Sequence, residues 1–256
     1  MKHGNRHLQR YTVTVLACTS FLIMASLAQD AQEAAPPTLP QIVAPGTTAA
    51  HPPADADILF DGTSASLAAH WSHPDGRPAE WVVDEQARCM TIKPGSGSLI
   101  SVEQFGDAQI HIEFATPTPA QGQGQGRGNS GVYMQARYEV QVLDSYENET
   151  YPDGQCGAIY GHHPPLVNAS RPPGHWQTYD IIFHAPTLVE TSGEPPMSVL
   201  PGTMTVFHNG VLIHDHAEFK GSTTASLMKE DMGPGPLYLQ DHGNGVRYRN
   251  IWVREL

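Results

Sequence analysis

Apolar and polar residues alternate in short runs along most of the chain beyond about residue 57. Ile110, Ile112 and Phe114 are separated by single polar residues, and residues 138–142 repeat the pattern as Tyr-Glu-Val-Gln-Val. A period of two places alternate side chains on one face of a β-strand. The pattern therefore predicts half-buried strands, and the spacing typical of helices is nearly absent.

Turn signals between these runs indicate how the strands connect. Asn209-Gly210 stands between two runs rich in β-forming residues, which predicts a hairpin with a type I′ turn. The chain closes with two more strand-like runs, separated by the turn residues 242–245. About a dozen short strands at this spacing predict an all-β fold, a jelly-roll β-sandwich of two antiparallel sheets.

Two segments interrupt the strand pattern. Residues 121–128 read QGQGQGRG, which is too rich in glycine to order by itself and predicts a mobile loop. Residues 161–176 are rich in proline and histidine and lie between strands. Long loops on a rigid sandwich often carry binding groups.

The amino terminus has the organisation of an export signal. Three basic residues precede an uncharged apolar run over residues 11–27, and Ser26 and Ala28 occupy the small-residue positions of a cleavage site. This predicts a signal peptide over residues 1–28 and a secreted or periplasmic protein. The run also approaches the length of a membrane span, so a membrane anchor is the alternative.

The segment after the leader predicts a linker rather than part of the fold. Residues 29–56 are mostly alanine, proline, threonine and glutamine, which bury too little apolar surface to offset the entropy of ordering. We expect a disordered linker there and a single folded domain over residues 57–256.

Charge and cysteine content narrow the classes of function. The formal net charge is -12, and the leader contains only basic charges, so the mature protein is more acidic still and nucleic acid is not expected as a partner. Cys89 and Cys156 either pair in an oxidising compartment or remain two buried thiols. The sequence contains no Cys-x-x-Cys pair, no GxSxG elbow, no Walker loop and no HExxH motif.

Two polar clusters are candidates for chemistry. If the apolar face of residues 138–142 is the core, Glu139 and Gln141 point outward together, either onto the floor of a groove or simply into solvent. Near the carboxyl terminus, His242 follows Asp241 in a turn before the last strand. A histidine close to a carboxylate suits acid–base chemistry, although polar residues near turns more often hydrogen-bond to the backbone.

Several segments resemble the 3-keto-disaccharide hydrolase family of concanavalin-like jelly rolls. They are LFDGTS, GNSGVYMQARYEVQVLDS, GAIYG, PGHWQTYDIIF, HNGVLI and LQDHGNGVRYRNIWVREL, and together they span about residues 57–256. The resemblance implies an exported enzyme that cleaves glycosides already oxidised at C3, by elimination across C1–C2, by hydration, or by both.

Such chemistry needs a base, an acid for the leaving oxygen and a group that stabilises the enolate. The family-matching motifs imply Glu139, His242 and Arg249 as catalytic residues that converge in one pocket, with Glu139 or His242 as the base. The expected substrate-binding residues are Arg127, Asn129, Gln141, Asp144, Tyr160, Gln240 and Arg247. No cofactor is expected. The acidic residues Asp144, Glu147 and Asp153 leave Ca²⁺ as an alternative.

A noncatalytic carbohydrate-binding module is the main alternative function, because one fold serves many functions. In that case some of Trp71, Trp81, Trp176 and Trp252 would form an exposed face on which a sugar stacks. An enzyme instead requires polar residues to converge in one pocket. A structural envelope protein is a third possibility, favoured only if there is no pocket.

Overall fold

The computed structural model of the protein describes residues 1, 39, 41–42, 52–193, 197–229 and 233–256. Apart from its first residue, the predicted signal peptide lies outside these residues, as does most of the predicted linker. Residues 37–256 form one compact unit.

The described residues form seventeen strands and one short α-helix. In chain order they are β1 (Gln41–Ile42), β2 (Asp57–Phe60), α1 (Ser64–His70), β3 (Trp71–Ser72), β4 (Val82–Asp84), β5 (Cys89–Thr91), β6 (Leu99–Phe105), β7 (Ala108–Ala115), β8 (Ser130–Met134), β9 (Tyr138–Val142), β10 (Val167–Asn168), β11 (Gln177–His184), β12 (Thr187–Glu190), β13 (Met197–Leu200), β14 (Gly202–His208), β15 (Val211–Phe219), β16 (Gly235–Leu239) and β17 (Arg247–Glu255). Two 3-10 turns lie at Gly124–Gly126 and Pro152–Gly154.

Two antiparallel sheets make up the body of the fold. The eight-stranded sheet has the order β15-β14-β11-β7-β17-β5-β4, with β2 also paired to β17. The five-stranded sheet has the order β3-β6-β16-β8-β9. Strands β12 and β13 form a separate two-stranded sheet, and β1 pairs with β10 in parallel.

One hydrophobic core joins the two large sheets. The eight-stranded sheet contributes residues such as Ile112 and Tyr248, and the five-stranded sheet contributes residues such as Val140 and Leu239, all of them buried in a single cluster. Alternate residues of β7 and β9 enter this core, as the period-two pattern predicts. The predicted jelly-roll β-sandwich is confirmed.

The predicted hairpin is confirmed together with its turn type. Strands β14 and β15 flank Asn209 and Gly210, whose φ angles are 54° and 79°. A type I′ turn requires positive φ at both central residues, which asparagine and glycine adopt at low cost. The Asn209 side chain also accepts a bond from the Thr178 N–H at 3.0 Å and donates to the Ala169 carbonyl at 2.9 Å.

Two segments expected to lack structure contain ordered contacts. Gln41–Ile42, within the expected linker, forms the strand that pairs with β10 inside the Pro/His-rich segment. The Gly/Gln-rich segment contains a 3-10 turn that is held by two hydrogen bonds between Gly124 and the Asn148 side chain, at 2.8 and 3.1 Å. These contacts come from residues distant in sequence, so composition alone did not reveal them.

The two cysteines of the folded domain are both free. Cys89 and Cys156 are buried, and the Cys156 thiol lies 3.0 Å from the Tyr179 hydroxyl. Of the two alternatives, separate buried thiols are therefore observed. Among the residues described, no helix has the length and apolar character needed to cross a membrane.

Candidate active site

The outer face of the five-stranded sheet carries the first predicted cluster. In β9, Tyr138, Val140 and Val142 pack in the core, so Glu139 and Gln141 point away from it. Both are nevertheless almost fully buried, with 2% and 1% of their surface exposed. The sequence left two alternatives for this face, the floor of a groove or a surface exposed to solvent. The burial of Glu139 and Gln141 excludes the solvent-exposed surface.

Three tyrosines lie in one row with Glu139 across this face. Strand register places Tyr133 of β8 opposite Glu139, and Tyr238 of β16 opposite Tyr133. On the other side of β9, Tyr160 donates its backbone N–H to the Glu139 carbonyl at 3.2 Å, so its side chain belongs to the same row. The carboxyl group is therefore flanked by aromatic rings that exclude water.

This environment changes the protonation of Glu139. Burial raises the pKa of Glu139 to about 8, and a hydrogen bond with the Tyr133 hydroxyl only partly opposes that effect. The Tyr133 hydroxyl in turn accepts a hydrogen bond from Gln240 Nε2 at 3.0 Å. Burial, followed by the neighbouring Glu139, raises the pKa of Tyr133 far above its ordinary value. A carboxyl group with a pKa near neutral can both give and take a proton.

Gly131 makes room for the Glu139 carboxyl group. A Cβ at position 131 would lie 2.4 Å from Glu139 Oε1 and 2.7 Å from Tyr133 Cε2. Such contacts are far below van der Waals distance, so any other residue would displace the carboxyl group. Gly131 also lies opposite Gln141 in the register of β8 and β9.

A chain of side-chain amides covers one end of this face. Gln125 Nε2 donates to the Gly154 carbonyl at 2.7 Å and to Thr150 Oγ1 at 3.2 Å, while Gln125 Oε1 accepts from Gln141 Nε2 at 2.9 Å. Asn129 Nδ2 donates to the Gln125 carbonyl at 2.8 Å. The expected ligands Asn129 and Gln141 are thus joined through Gln125.

Tyr151 and Tyr160 meet at the rim of the face. Their hydroxyl groups are hydrogen-bonded, and their rings lie edge to face with centroids 6.3 Å apart. Tyr151 is 45% exposed, whereas Tyr160 is half-buried. This pair brings two phenolic donors close to the row that contains Glu139.

Arg127 and Asp144 form a buried ion pair at the end of β9. Arg127 Nε and one terminal nitrogen bind the two Asp144 oxygens at 2.7 and 3.0 Å, and Asp144 is 1% exposed. A cavity of about 280 Å³ lies beside the pair, also lined by Gly128 and Asn244. The two charges neutralise each other, and the pair forms part of the wall of this cavity.

The acidic residues considered for Ca²⁺ do not assemble into a metal centre in the described part of the chain. No group of three or more His, Cys, Asp or Glu side chains there is placed to hold a metal ion. Asp144, the most buried of the three candidates, is the partner of Arg127.

The turn after β16 contributes one residue to the site, and a second residue of the turn has a structural role. Gln240 binds Tyr133, as described above. Asp241 accepts backbone N–H bonds from Gly95, Gly97 and Gly243 at 2.8, 3.0 and 2.8 Å, so it holds turns together. His242 follows it as an exposed residue. The structure does not pair His242 with the Asp241 carboxylate.

Arg247 and Arg249 do not reach this site, and the expected convergence of Arg249 with Glu139 is wrong. Tyr248 between them packs in the core, so both arginines lie on the outer face of the eight-stranded sheet. Arg249 binds the Glu113 carboxylate at 2.8 Å through two nitrogens and stacks on Trp176 at 4.0 Å. The sequence defined the face of the last strand but not the sheet to which that strand belongs.

The tryptophans do not form a stacking face for a sugar. Trp71, Trp81 and Trp252 are between 2% and 3% exposed. Trp176 is half-buried, and the guanidinium groups of Arg247 and Arg249 lie over its ring. The exposed aromatic strip expected of a binding module is therefore absent from the described residues.

Tyr133 and Gln125 belong to the site but were not predicted as site residues. Tyr133 occurs in the same quoted motif as Glu139, and pairing the two alternating runs as a hairpin would have placed it opposite Glu139. Gln125 lies in a segment that has no alternation of apolar and polar residues. Its partners, Gln141 and Gly154, are brought to it by the fold alone.

The sequence of the domain matches a known family over most of its length. The model of the 3-keto-alpha-glucoside-1,2-lyase-like domain matches residues 55–254. The chain belongs to this family. The match begins two residues before the predicted start of the folded domain and ends one residue before the end of β17. No curated protein matches the chain significantly.

Solved structures agree with the family assignment. A candidate glycosyl hydrolase from Parabacteroides distasonis is 41% identical and has a TM-score of 0.71, with 86% of this chain and 93% of that chain covered. A second candidate glycosyl hydrolase from the same organism is 17% identical, with a TM-score of 0.55 over 79% of this chain and 94% of that chain. The second similarity shows the shared fold alone.

Proposed function

We propose that this lyase-like domain cleaves the glycosidic bond of 3-keto-glycosides. The observation that carries the proposal is the buried Glu139, held against Tyr133 and with its pKa raised to about 8. The family description supports a 3-keto-glucoside as the substrate class. The similarity to a candidate glycosyl hydrolase supports action on a carbohydrate.

The chemistry follows from the acidity that a ketone at C3 gives to the proton at C2. Glu139, as the carboxylate, takes the C2 proton, and the electrons of the C2–H bond form the C1–C2 double bond. The C1–O bond breaks, and its electron pair leaves on the glycosidic oxygen, which then takes up a proton. Water adding across the double bond completes a net hydrolysis.

Other residues of this face and of the adjoining turns have proposed roles in the same step. Tyr133 and Gln240 position the Glu139 carboxyl group through their hydrogen bonds. The Tyr151–Tyr160 pair supplies hydroxyl donors for the developing enolate oxygen. His242, exposed in the adjoining turn, is the proposed acid for the leaving oxygen. Asn129, Gln141 and the cavity beside Arg127 and Asp144 are proposed to hold the rest of the substrate.

Replacing Glu139 tests this function directly. Glu139→Gln keeps the size and hydrogen bonds of the protonated acid but cannot take a proton. We expect cleavage of a 3-keto-glucoside to fall about 10²- to 10⁴-fold, as for loss of a general base. The release of enone or free 3-keto sugar is followed by mass spectrometry, with the unoxidised glucoside as the control substrate. Full activity in the variant would remove Glu139 from the mechanism, and sugar binding without cleavage by the wild type would favour a binding module.

We also propose that the protein is exported. The basic residues, the apolar run over residues 11–27 and the small residues at 26 and 28 support cleavage after the leader. Amino-terminal sequencing of the protein recovered from an expressing bacterium is expected to begin at Gln29. An intact amino terminus found only with membranes would instead support an anchor.

A further inference from the structure

The orientation of the Gln141 side-chain amide is determined by a backbone carbonyl outside β9. The carbonyl of Gly154 can only accept hydrogen bonds, and Gln125 lies 2.7 Å from it. The Gln125 amide must therefore turn its nitrogen toward Gly154, which leaves its oxygen toward Gln141. The Thr150 hydroxyl, 3.2 Å from the same nitrogen, is compatible with that orientation.

The orientation passes from Gln125 to Gln141. The nitrogen of Gln141 lies 2.9 Å from Gln125 Oε1 and 3.5 Å from the Gly154 carbonyl, so it has two acceptors. If the Gln141 amide were flipped, its oxygen would face these two acceptors, and neither could donate a hydrogen bond to it. Within the described part of the chain, Gln141 Oε1 is a buried acceptor without a hydrogen-bond partner. Buried polar atoms are nearly always paired, so an orphan acceptor indicates a missing donor.

This acceptor belongs to the face that carries Glu139. Gln141 is two residues from Glu139 on the same strand and points the same way, and its cross-strand neighbour Gly131 has no side chain. The space above Gly131 is where the Glu139 carboxyl group lies. Gln141 Oε1 therefore lies on the same face of β9 as Glu139 and, like that carboxyl group, is shielded from bulk water.

We infer that Gln141 Oε1 accepts a hydrogen bond from one free hydroxyl of the substrate sugar ring, and that Gln125 is the positioning residue that fixes this preference. The inference rests on the proposed function and adds a specificity to it. A sugar with a hydroxyl at the recognised carbon satisfies the buried acceptor. A deoxy sugar leaves it unpaired, and an O-methyl sugar presents a second acceptor against it.

The test measures binding of 3-keto-glucose and its 2-, 4- and 6-deoxy and O-methyl analogues by titration calorimetry, so it does not depend on turnover. In the wild type, one deoxy analogue is expected to bind about tenfold to a hundredfold more weakly than the parent, the usual consequence of an unpaired buried acceptor. In Gln141→Ala, the same analogue and the parent sugar are expected to bind equally.

Two substitutions of Gln125 separate positioning from a general structural role. Gln125→Glu can only accept from Gln141, so it is expected to keep the discrimination between hydroxyl and deoxy sugars. Gln125→Lys can only donate, so the Gln141 amide is expected to flip and to present its nitrogen, a donor, to the sugar. The preference is then expected to shift toward the O-methyl analogue. Gln123→Lys, at an exposed position of the same loop, is the matched control and should behave as the wild type.

Equal binding of all three deoxy analogues by the wild type overturns the inference, as does unchanged selectivity in Gln125→Lys or a failure of every sugar to bind. The proposed function fails separately. If the sugars bind with this hydroxyl dependence but 3-keto-glucosides are not cleaved, the specificity stands and the assignment as a glycoside-cleaving enzyme does not.

Discussion

At the scale of single residues, burial rather than residue type gives Glu139 its chemical character. Asp144 is also buried, but it is paired with Arg127, and Glu113 is held by Arg249 and Asn250. Burial opposes the charged form of Glu113, yet hydrogen bonds from His111, Asn250 and Arg249 outweigh it and lower the pKa of Glu113 to about 2. Among the described residues, Glu139 faces a hydroxyl group and no cation, so for this residue burial dominates.

The raised pKa of Glu139 predicts how stability depends on pH. The folded protein holds the Glu139 proton up to about pH 8, whereas the ordinary pKa is 4.5, so folding becomes less favourable as the pH rises between these values. The cost is about 1.4 kcal/mol for each unit by which the two pKa values differ. Glu139→Gln has no such proton to lose.

Urea denaturation of the wild type and Glu139→Gln at pH 5 and pH 9 measures this effect. We expect the variant to gain stability relative to the wild type at pH 9, while the two proteins are similar at pH 5. A constant difference between them across this range would show that the pKa of Glu139 is not raised.

At the scale of elements, the β14–β15 turn shows how local and long-range requirements coincide at one position. Asn209 meets the backbone requirement of the type I′ turn and also connects β14 to Thr178 and Ala169. Its side chain makes a further bond to Gln177 Oε1 at 2.9 Å. The turn is therefore joined to the neighbouring strand β11.

Substitutions at Asn209 are expected to separate these two contributions. Asn209→Gly keeps the positive φ but loses the side-chain bonds, and buried groups that lose their partners should lower the free energy of unfolding by about 2–3 kcal/mol. Asn209→Ala also strains the turn and should be less stable than Asn209→Gly. Chemical denaturation measures both. Equal stability of the glycine variant and the wild type would mean that the side-chain bonds contribute nothing.

At the scale of the whole molecule, the sandwich separates two polar clusters that were expected from the sequence to converge in one pocket. Glu139 lies on the outer face of the five-stranded sheet, and Arg249 lies with Glu113 and Trp176 on the outer face of the other sheet. The hydrophobic core stands between them. We therefore assign Arg249 to stability and not to the proposed reaction.

Replacement of Arg249 tests that assignment. Arg249→Ala leaves the carboxylate of Glu113, 7% exposed, without its paired guanidinium, so the free energy of unfolding should fall by about 2–3 kcal/mol. The kcat/KM of the folded variant for a 3-keto-glucoside should stay within about threefold of the wild type, since Arg249 lies on the outer face of the other sheet. Arg254→Ala, which breaks an exposed ion pair, is the control and should show little change in either quantity. A large loss of kcat in Arg249→Ala with unchanged stability would contradict the assignment.

The class of fold, the faces of the strands and the principal hairpin could all be predicted from the sequence. These features depend on near neighbours: alternation sets which residues of β7 and β9 enter the core, and Asn209-Gly210 sets the turn. Local chemistry sufficed because each strand carries its own pattern of burial. The motif around Glu139 likewise contained both that residue and Tyr133, its partner across the hairpin.

Which faces and side chains lie together depends on how the strands and loops pack. Arg249 lies on the sheet opposite Glu139 because β17 pairs with β7. The amides of Gln125 and Gln141 are oriented by the close approach of the Gly/Gln-rich segment to Gly154. Such contacts join residues from separate elements, and burial energies and hydrogen-bond directions arise only once those elements pack. The same packing closes aromatic side chains around Glu139 and raises its pKa, which no pattern along the chain contains.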